Sequence, residues 1–468
     1  MLDLFNPIVP DENQHKHFRT LLEPTCTPER AVLAQWSKGF IDRDGKFITE
    51  FQKTFNSCFW ELYLNAAFRE LDFTLDFSHR APDFYVQSPD GDFLAEAVTA
   101  NQPDGFRPEW EWDATPPEDL DEFLRLATIR LSNSLRIKLS KYKKSYASQA
   151  HVREKPFVVC IAPFEQPASF LQNTQAITRV LYGFDQVLTI KNGQQITPVG
   201  EARMSKVLKD FGAEVPLANF TSPAMKEISA VIFSNTATWG KVQARSSIKD
   251  NSLLFSALRI NPESTSHRKI KSFASNYHET LLDGLHIFLN PYAKHPLNIR
   301  GFMNREIAIH SYDPRQEIYR PWYPDGFLVQ RSTLRLFFAK NKSNPSAHQE
   351  KPSRSYRTAT RPNWEEGKLQ PADAETFLFT DNHLAHWRGW TILIAKDVTD
   401  GDWLAQAVQQ KVMTVPEFMR ANGSPEIASM NPGLRHPEQS YPTKQAALDA
   451  CITEINAQLL HEDEKKEH

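Results

Sequence analysis

The chain has 468 residues, a length that predicts two or three domains rather than one compact core. Hydrophobic residues make up 40% of it and aromatic residues 11%, a composition that excludes a globally disordered protein. The net charge of -3 excludes a general attraction to polyanions, so a nucleic-acid partner would have to be held by local basic surfaces.

The first predicted elements are helices followed by a strand. Residues 1–50 are polar with short apolar stretches, which predicts a small helical segment before the core. Over 51–70 the apolar residues recur every three or four positions, the spacing of a helix with one buried face. Residues 71–77 then alternate apolar and polar side chains, which indicates a half-buried strand.

A hairpin, a long helix and a buried strand follow. Residues 83–87 and 92–99 flank Ser88-Pro89-Asp90-Gly91, where Pro and Gly suit a turn. Residues 119–146 carry leucines and tyrosines on one stripe of an amphipathic helix. The apolar run 156–162 is typical of a central strand. The predicted order of elements is therefore α-β-β-β-α-β.

The rest of the chain is divided by composition. A helix at 173–182, a hairpin at 187–196 and a strand at 228–234 extend the predicted core to 51–240, and they could add to its sheet. Residues 241–340 form a middle region of unclear topology, and 341–372 have the composition of an exposed basic linker. Residues 373–468 predict a small α+β domain with a strand in WTILIA, a helix near 403–412 and a final helix at 444–460.

Two carboxylates face each other across the predicted hairpin. A four-residue loop at 88–91 pairs Asp83 with Glu96, and a two-residue loop would still leave both on one face of the sheet. Glu96 lies in an apolar strand, where a charge needs a partner. Opposed carboxylates are commonly neutralised by a cation, and Mg²⁺ or Mn²⁺ suits oxygen ligands. The alternative is that Asp83 merely begins a strand after Pro82 and that Glu96 is solvated.

This arrangement resembles the PD-(D/E)XK nuclease superfamily, in which an Asp ends one strand and an acidic residue lies in the next. The matching stretches are Ala81-Pro82-Asp83-Phe84 and Ala95-Glu96-Ala97-Val98, preceded by the helix segment Phe59-Trp60-Glu61-Leu62. The resemblance covers about a quarter of the chain. It implies a restriction-endonuclease-like α/β core with insertions, in which Asp83, Glu96 and the Ala97 carbonyl hold Mg²⁺ or Mn²⁺ and Glu61 completes or orients the site.

The chain departs from the family pattern at one position. The lysine expected two residues after the acid is replaced by Val98, so an active member needs a cation from elsewhere. Related nucleases carry this lysine on the following helix. Lys138 projects within about 20° of the edge of the apolar stripe there, which makes it the catalytic candidate. The alternative is a lysine that only extends its stem along the helix edge.

Basic residues predict where a nucleic acid could bind. Arg130, Lys141 and Lys144 lie on the helix that would flank the site. Between Arg331 and Arg361, eight Lys or Arg residues stand against one acid, and Arg354 and Arg357 are the candidates there. A solvated basic linker is the alternative for this second segment.

Targeting segments and zinc sites are not predicted. The N-terminal sequence has no basic stretch before an apolar run, and no uncharged apolar run reaches ~18 residues, so we expect a cytoplasmic protein without membrane contact. The four cysteines have no CxxC spacing, which favours buried free thiols over zinc ligands: Cys26, Cys58, Cys160 and Cys451.

The function implied by the resemblance is that of a Mg²⁺-dependent endonuclease acting on DNA, alone, as a homodimer or with a partner subunit, in bacterial defence against foreign DNA. Two alternatives stay open. The missing strand lysine could mark a decayed nuclease that binds nucleic acid or protein without cutting. The aromatic segment 319–323 and the C-terminal region could instead serve an interaction scaffold.

Overall fold

A computed structural model describes residues 2–102, 105–111, 117, 119–191, 195–248, 252–263, 267–303, 305–335, 370–371, 379–387, 390–397, 402–408 and 441–464. The α-helices in these ranges are α1 (Lys16–Leu22), α2 (Thr27–Trp36), α3 (Phe47–Lys53), α4 (Asn56–Glu70), α5 (Leu120–Lys141), α6 (Gln175–Tyr182), α7 (Trp239–Arg245) and α8 (Lys444–Glu464). No helix in the described ranges combines the length and the apolar character needed to cross a bilayer.

The strands of the same ranges form several sheets. They are β1 (Thr74–Asp76), β2 (Phe84–Gln87), β3 (Phe93–Asn101), β4 (Phe157–Phe164), β5 (Phe184–Lys191), β6 (Gln195–Arg203), β7 (Lys206–Leu208), β8 (Glu214–Pro216), β9 (Ala230–Phe233), β10 (Leu253–Arg259), β11 (Arg268–Phe273), β12 (Leu285–Leu289), β13 (Ile307–Asp313), β14 (Ile318–Trp322), β15 (Leu328–Arg335), β16 (Gln370–Pro371), β17 (Phe379–Trp387), β18 (Trp390–Asp397) and β19 (Trp403–Val408).

An eight-stranded mixed sheet in the order β1-β2-β3-β4-β9-β12-β13-β14 organises the fold. β1, β2 and β3 pair antiparallel, whereas β3, β4 and β9 run parallel. The fold is mixed α/β, as predicted, and the order α4-β1-β2-β3-α5-β4 is the predicted α-β-β-β-α-β.

Helices cover both faces of this sheet. The first four helices pack on one face, where the Trp60 indole N–H donates to the Cys160 carbonyl at 2.8 Å. Helices α5 and α6 pack on the other face. Side chains of β3 alternate between the two cores, as strand geometry requires, with Ala95 and Ala97 in the first and Leu94 and Ala100 in the second. Glu96 therefore points toward α5.

Two of the early predictions need correction. The single helix over 51–70 is wrong, because α3 ends at Lys53 and Phe55 takes a positive φ of 45° before α4 begins. The strand over 71–77 shrinks to β1. Asp72 has a φ of 61° in the turn that leaves α4, and the Phe73 N–H donates back to the Phe68 carbonyl, so these residues close the helix rather than join the sheet.

The predicted core boundary at residue 240 is too early. The region 241–340 supplies β12, β13 and β14 to the central sheet, and β10, β11 and β15 to a separate three-stranded sheet. The helices of 1–50 also share the core beneath α4. The hairpin predicted at 187–196 is confirmed as β5 and β6, but these strands form their own sheet instead of extending the central one.

The C-terminal part contains the sheet β16-β17-β18-β19 with α8 packed on it. The strand in WTILIA and the final helix are confirmed as β18 and α8. The helix near 403–412 is wrong over 403–408, because β19 pairs antiparallel with β18 and its alternate residues Trp403 and Ala405 enter the core. Apart from β16, the predicted linker at 341–372 lies outside the described residues.

Candidate active site

The β2–β3 hairpin has the register predicted from the sequence. Phe84 pairs with Ala95 and Val86 with Phe93, so Asp83, one residue before β2, stands opposite Glu96. The Asp83 carboxylate accepts a hydrogen bond from the Ala97 N–H at 2.8 Å. The two carboxylates predicted to face each other are thus neighbours.

Glu96 is a buried charge with three donors on one oxygen. Its side chain is 0% exposed, and its Oε1 accepts from Lys138 Nζ at 2.8 Å, from Lys141 Nζ at 2.9 Å and from the Tyr146 hydroxyl at 3.1 Å. Lys138 and Lys141 lie on α5, and Tyr146 ends the π-helical turn that follows it. The other oxygen, Oε2, is buried and has no hydrogen-bond partner among the described residues.

The cation predicted to replace the strand lysine does reach the acid. Lys138 Nζ is the closer of the two ammonium groups, and its side chain is 16% exposed against 48% for Lys141. Lys141, predicted as a nucleic-acid contact, forms an ion pair with Glu96 in the structure, and its binding to nucleic acid stays a prediction.

The three carboxyl groups of the site have different electrostatic environments. Burial opposes ionisation of Glu96, but the ammonium groups of Lys138 and Lys141 outweigh it and hold its pKa below the usual range. Desolvation, followed by the negative charge of Glu96, raises the pKa of Asp83 to about 6. Desolvation and the Asp83 carboxylate raise the pKa of Glu61 well above its usual value, although Lys138 and Arg43 act against this. The carboxyl groups of Asp83 and Glu61 are therefore harder to ionise than that of Glu96.

Comparisons of this chain with protein-family models, curated proteins and solved structures gave no significant match.

The donor set fits a cation held by few protein ligands. Across the described residues, no group of three or more His, Cys, Asp or Glu side chains is arranged to hold a metal ion. Asp83 and Glu96 offer two carboxylates, and Glu96 Oε2 is a buried acceptor without a partner in the described ranges. Mg²⁺ characteristically binds one or two carboxylates and keeps several waters, so this arrangement suits it better than a closed all-protein cage.

Two residues of the site were missed in the sequence. Tyr146 lies on the apolar stripe of the predicted helix, so its position could have been inferred, but its hydroxyl bond to Glu96 could not. Arg43 lies in the loop between α2 and α3, and its guanidinium is close enough to Glu61 to lower that residue's pKa. Nothing in its local sequence indicates this, because the contact joins segments far apart in the chain.

The other predicted nucleic-acid residues are dispersed. Arg130 donates from Nε to the Asn101 carbonyl at 2.8 Å and from Nη2 to the Gln102 carbonyl at 3.3 Å, so it anchors the end of β3. Lys144 is exposed, one turn beyond Lys141. Arg354 and Arg357 lie outside the described residues.

Proposed function

We propose that the chain is a metal-dependent nuclease of the PD-(D/E)XK type that hydrolyses DNA phosphodiester bonds. The observation that carries the proposal is the 2.8 Å contact between Lys138 Nζ and Glu96 Oε1, beside Asp83. The strand lacks the family's lysine at Val98, and a lysine from the following helix supplies the ammonium group at the same acid. Defence against foreign DNA in a bacterium is the biological setting that the family resemblance favours.

The proposal assigns Mg²⁺ or Mn²⁺ to Asp83, Glu96 and the Ala97 carbonyl. When bound there, such a cation would supply positive charge at the phosphate and a water of lowered pKa. Glu96 Oε2 supports the assignment, because a buried carboxylate oxygen without a donor is costly to leave unpaired. The raised pKa of Asp83 supports it too, since a cation would remove the repulsion between the acids.

The chain's own residues supply the remaining parts. Lys138 is held in place by Glu96 and lies at the edge of the helix, where its ammonium group can interact with a phosphate oxygen. Glu61, whose raised pKa favours its protonated form, can donate a hydrogen bond to a neighbouring carboxylate or to the substrate. Lys144 extends the positive surface beyond the site, where backbone phosphates of DNA can be bound.

The test is cleavage of plasmid, linear and single-stranded DNA by the purified protein in Mg²⁺ or Mn²⁺, with EDTA as the metal-free control. We expect Asp83→Asn and Lys138→Met to lower the rate by about 10²-fold or more, because each removes charge from the reacting centre. Two matched variants should cleave normally. Lys143→Met removes an exposed lysine paired with Glu227 one turn from the site, and Glu214→Gln removes an exposed acid paired with Lys206. Cleavage that persists in Asp83→Asn would refute the assignment.

A second candidate, a nuclease fold that binds without cutting, is favoured by one observation. Lys138 and Lys141 both contact Glu96, so the chain's own cations already neutralise this acid. Under this alternative, DNA binding persists while no metal supports cleavage. Calorimetry with Mn²⁺ separates the two candidates, because the decayed protein would not bind the ion and the nuclease would.

A further inference from the structure

The loop that carries Arg43 is rigidly built. The Phe40 ring packs against Phe47 at 4.5 Å and Phe77 at 5.4 Å between ring centroids, which fixes the loop against the strands beside the site. The Asp42 carboxylate accepts hydrogen bonds from the Gly45 and Phe47 N–H groups at 2.9 and 3.1 Å. A side chain on such a loop is presented in one position, as a binding residue requires.

Arg43 is bound to the segment that leads into Asp83. Its Nη1 donates to the His79 carbonyl at 2.6 Å and to the Pro82 carbonyl at 3.2 Å. His151 contacts the same segment through Nε2, 2.8 Å from the Ala81 carbonyl, and Nε2 must carry the proton because a carbonyl can only accept. The rings of His79 and His151 stack at 3.8 Å with an angle of 3° between their planes. The residues before Asp83 are thus held from two sides.

These contacts use only part of the guanidinium. Among the described residues, Arg43 Nη1 is the nitrogen with acceptors, and Nε and Nη2 have none. The side chain is partly exposed. Its charge is felt by Glu61 and by Tyr146, both of which belong to the candidate site. A fixed, partly exposed guanidinium with unused N–H groups is suited to bind an anion, and its planar fork matches phosphate oxygens.

We propose that Arg43 binds a backbone phosphate of the nucleic acid next to Asp83, so that one side chain both positions the Asp83 segment and holds the substrate. This inference rests on the proposed function, because it takes nucleic acid as the ligand of the same site. The simpler alternative is that Arg43 only holds the loop through the two carbonyls.

Salt-dependent binding separates these roles. The measurement is anisotropy of a fluorescent DNA duplex in a KCl series, with every protein carrying Asp83→Asn so that cleavage does not interfere. A lost phosphate contact lowers the magnitude of the slope of log K against log salt by about 0.9, and loss of the loop contact alone leaves it unchanged. We expect Arg43→Gln to lower that magnitude by this amount and to weaken binding about tenfold.

Two further variants keep the test decisive. Arg43→Lys retains the charge but not the planar fork, so it should keep the slope and lose part of the affinity. Arg315→Gln, an exposed arginine in the turn between β13 and β14 at the other end of the sheet, should match the parent in both quantities. Circular dichroism spectra show whether Arg43→Gln folds. If it does not, the slope of log K against log salt for Arg43→Lys tests the phosphate contact.

The outcomes are distinct. The phosphate contact is refuted if the slope of log K against log salt is the same for Arg43→Gln as for Arg315→Gln. It is also refuted if Arg43→Lys lowers the magnitude of that slope. In both cases DNA binding by the chain stands. If the parent binds no duplex at any salt concentration, the proposed function fails and this inference fails with it.

Discussion

Removal of both ammonium groups from Glu96 is the sharpest perturbation that the structure offers. Glu96 is 0% exposed, and its donors are Lys138, Lys141 and the Tyr146 hydroxyl. Methionine at positions 138 and 141 keeps the packing of the lysine stems and removes only the charges. The double variant leaves a buried carboxylate with one neutral donor.

The expected cost follows from the burial of each partner. Breaking a buried ion pair by removing one side costs about 3–5 kcal/mol, because the remaining charge stays desolvated, and this is the expected loss in the double variant. Lys138→Met alone should cost about 1–3 kcal/mol, since Lys141 stays. Lys141 is 48% exposed, so Lys141→Met should cost about 0.5–1 kcal/mol. The loss in the free energy of unfolding should be larger in the double variant than the sum of the losses in the two single variants, because either lysine partly compensates for the other.

The loss of stability in the double variant should depend on pH. In the parent the pKa of Glu96 is lowered on folding, so its ion pairs contribute stability above the unfolded pKa, and that contribution is lost as pH falls through the folded pKa. In the double variant burial acts alone and raises the pKa of Glu96. Protonation then relieves the buried charge, and the stability difference from the parent shrinks as pH falls from neutral toward the ordinary pKa of glutamate.

The assay is urea unfolding followed by tryptophan fluorescence, at neutral pH and about one unit above the ordinary pKa of glutamate. Glu96→Gln is the first control, and it should cost less than the double variant because the freed lysines can be hydrated. Lys143→Met, an exposed lysine on the same segment, should have almost no effect. A double variant whose loss equals the sum of the singles, and is the same at both pH values, would contradict the description of Glu96 as a buried charge.

Two other perturbations test parts of the fold away from this acid. Glu165 is buried and desolvation raises its pKa to about 7 from 4.5, so the folded protein loses stability as pH rises between these values. Glu165→Gln should remove this dependence and stabilise the protein above pH 7 by about 3 kcal/mol, measured as urea midpoints across that pH range; an unchanged pH profile would show that Glu165 is ionised. A Cβ on Gly240 would lie 1.8 Å from Nη1 of Arg331, whose Nε is bound to the buried Glu279 at 2.9 Å. Gly240→Ala should therefore lower the free energy of unfolding by about 1–3 kcal/mol, and a neutral effect in the same assay would mean that Arg331 is free to move.

The features predicted correctly from the sequence are those set by neighbours in the chain. The hairpin register depends on one turn and on the alternation beside it, so Asp83 could be placed against Glu96. The helix after it has a regular apolar stripe, and the angle between residues on a helix was sufficient to place Lys138 near Glu96, although it did not predict that Lys141 also contacts this acid.

The features that were missed depend on pairing between distant segments. β12 and β13 lie beyond residue 240, and the place of β12 beside β9 and of β13 beside β12 follows from antiparallel and parallel pairing that no local pattern encodes. β19 was predicted as a helix because a short apolar run is compatible with either period until its partner strand is known. Arg43 is separated from Pro82 by a helix-rich segment, and only the tertiary fold brings them together.

The distribution of charge in the site argues for a cation beyond the two lysines. The sequence predicts that a carboxylate in the apolar strand must have a positive partner, but an ammonium group and a metal ion satisfy that requirement equally well. The structure adds the asymmetry: the ammonium groups of Lys138 and Lys141 contact Oε1 of Glu96, and no donor in the described ranges contacts Oε2. Desolvation, followed by repulsion from Glu96, raises the pKa of Asp83 to about 6, so the two lysines do not offset both effects. Under the proposed function, a divalent cation held by Asp83 and Glu96 would offset the desolvation and the repulsion that raise the pKa of Asp83.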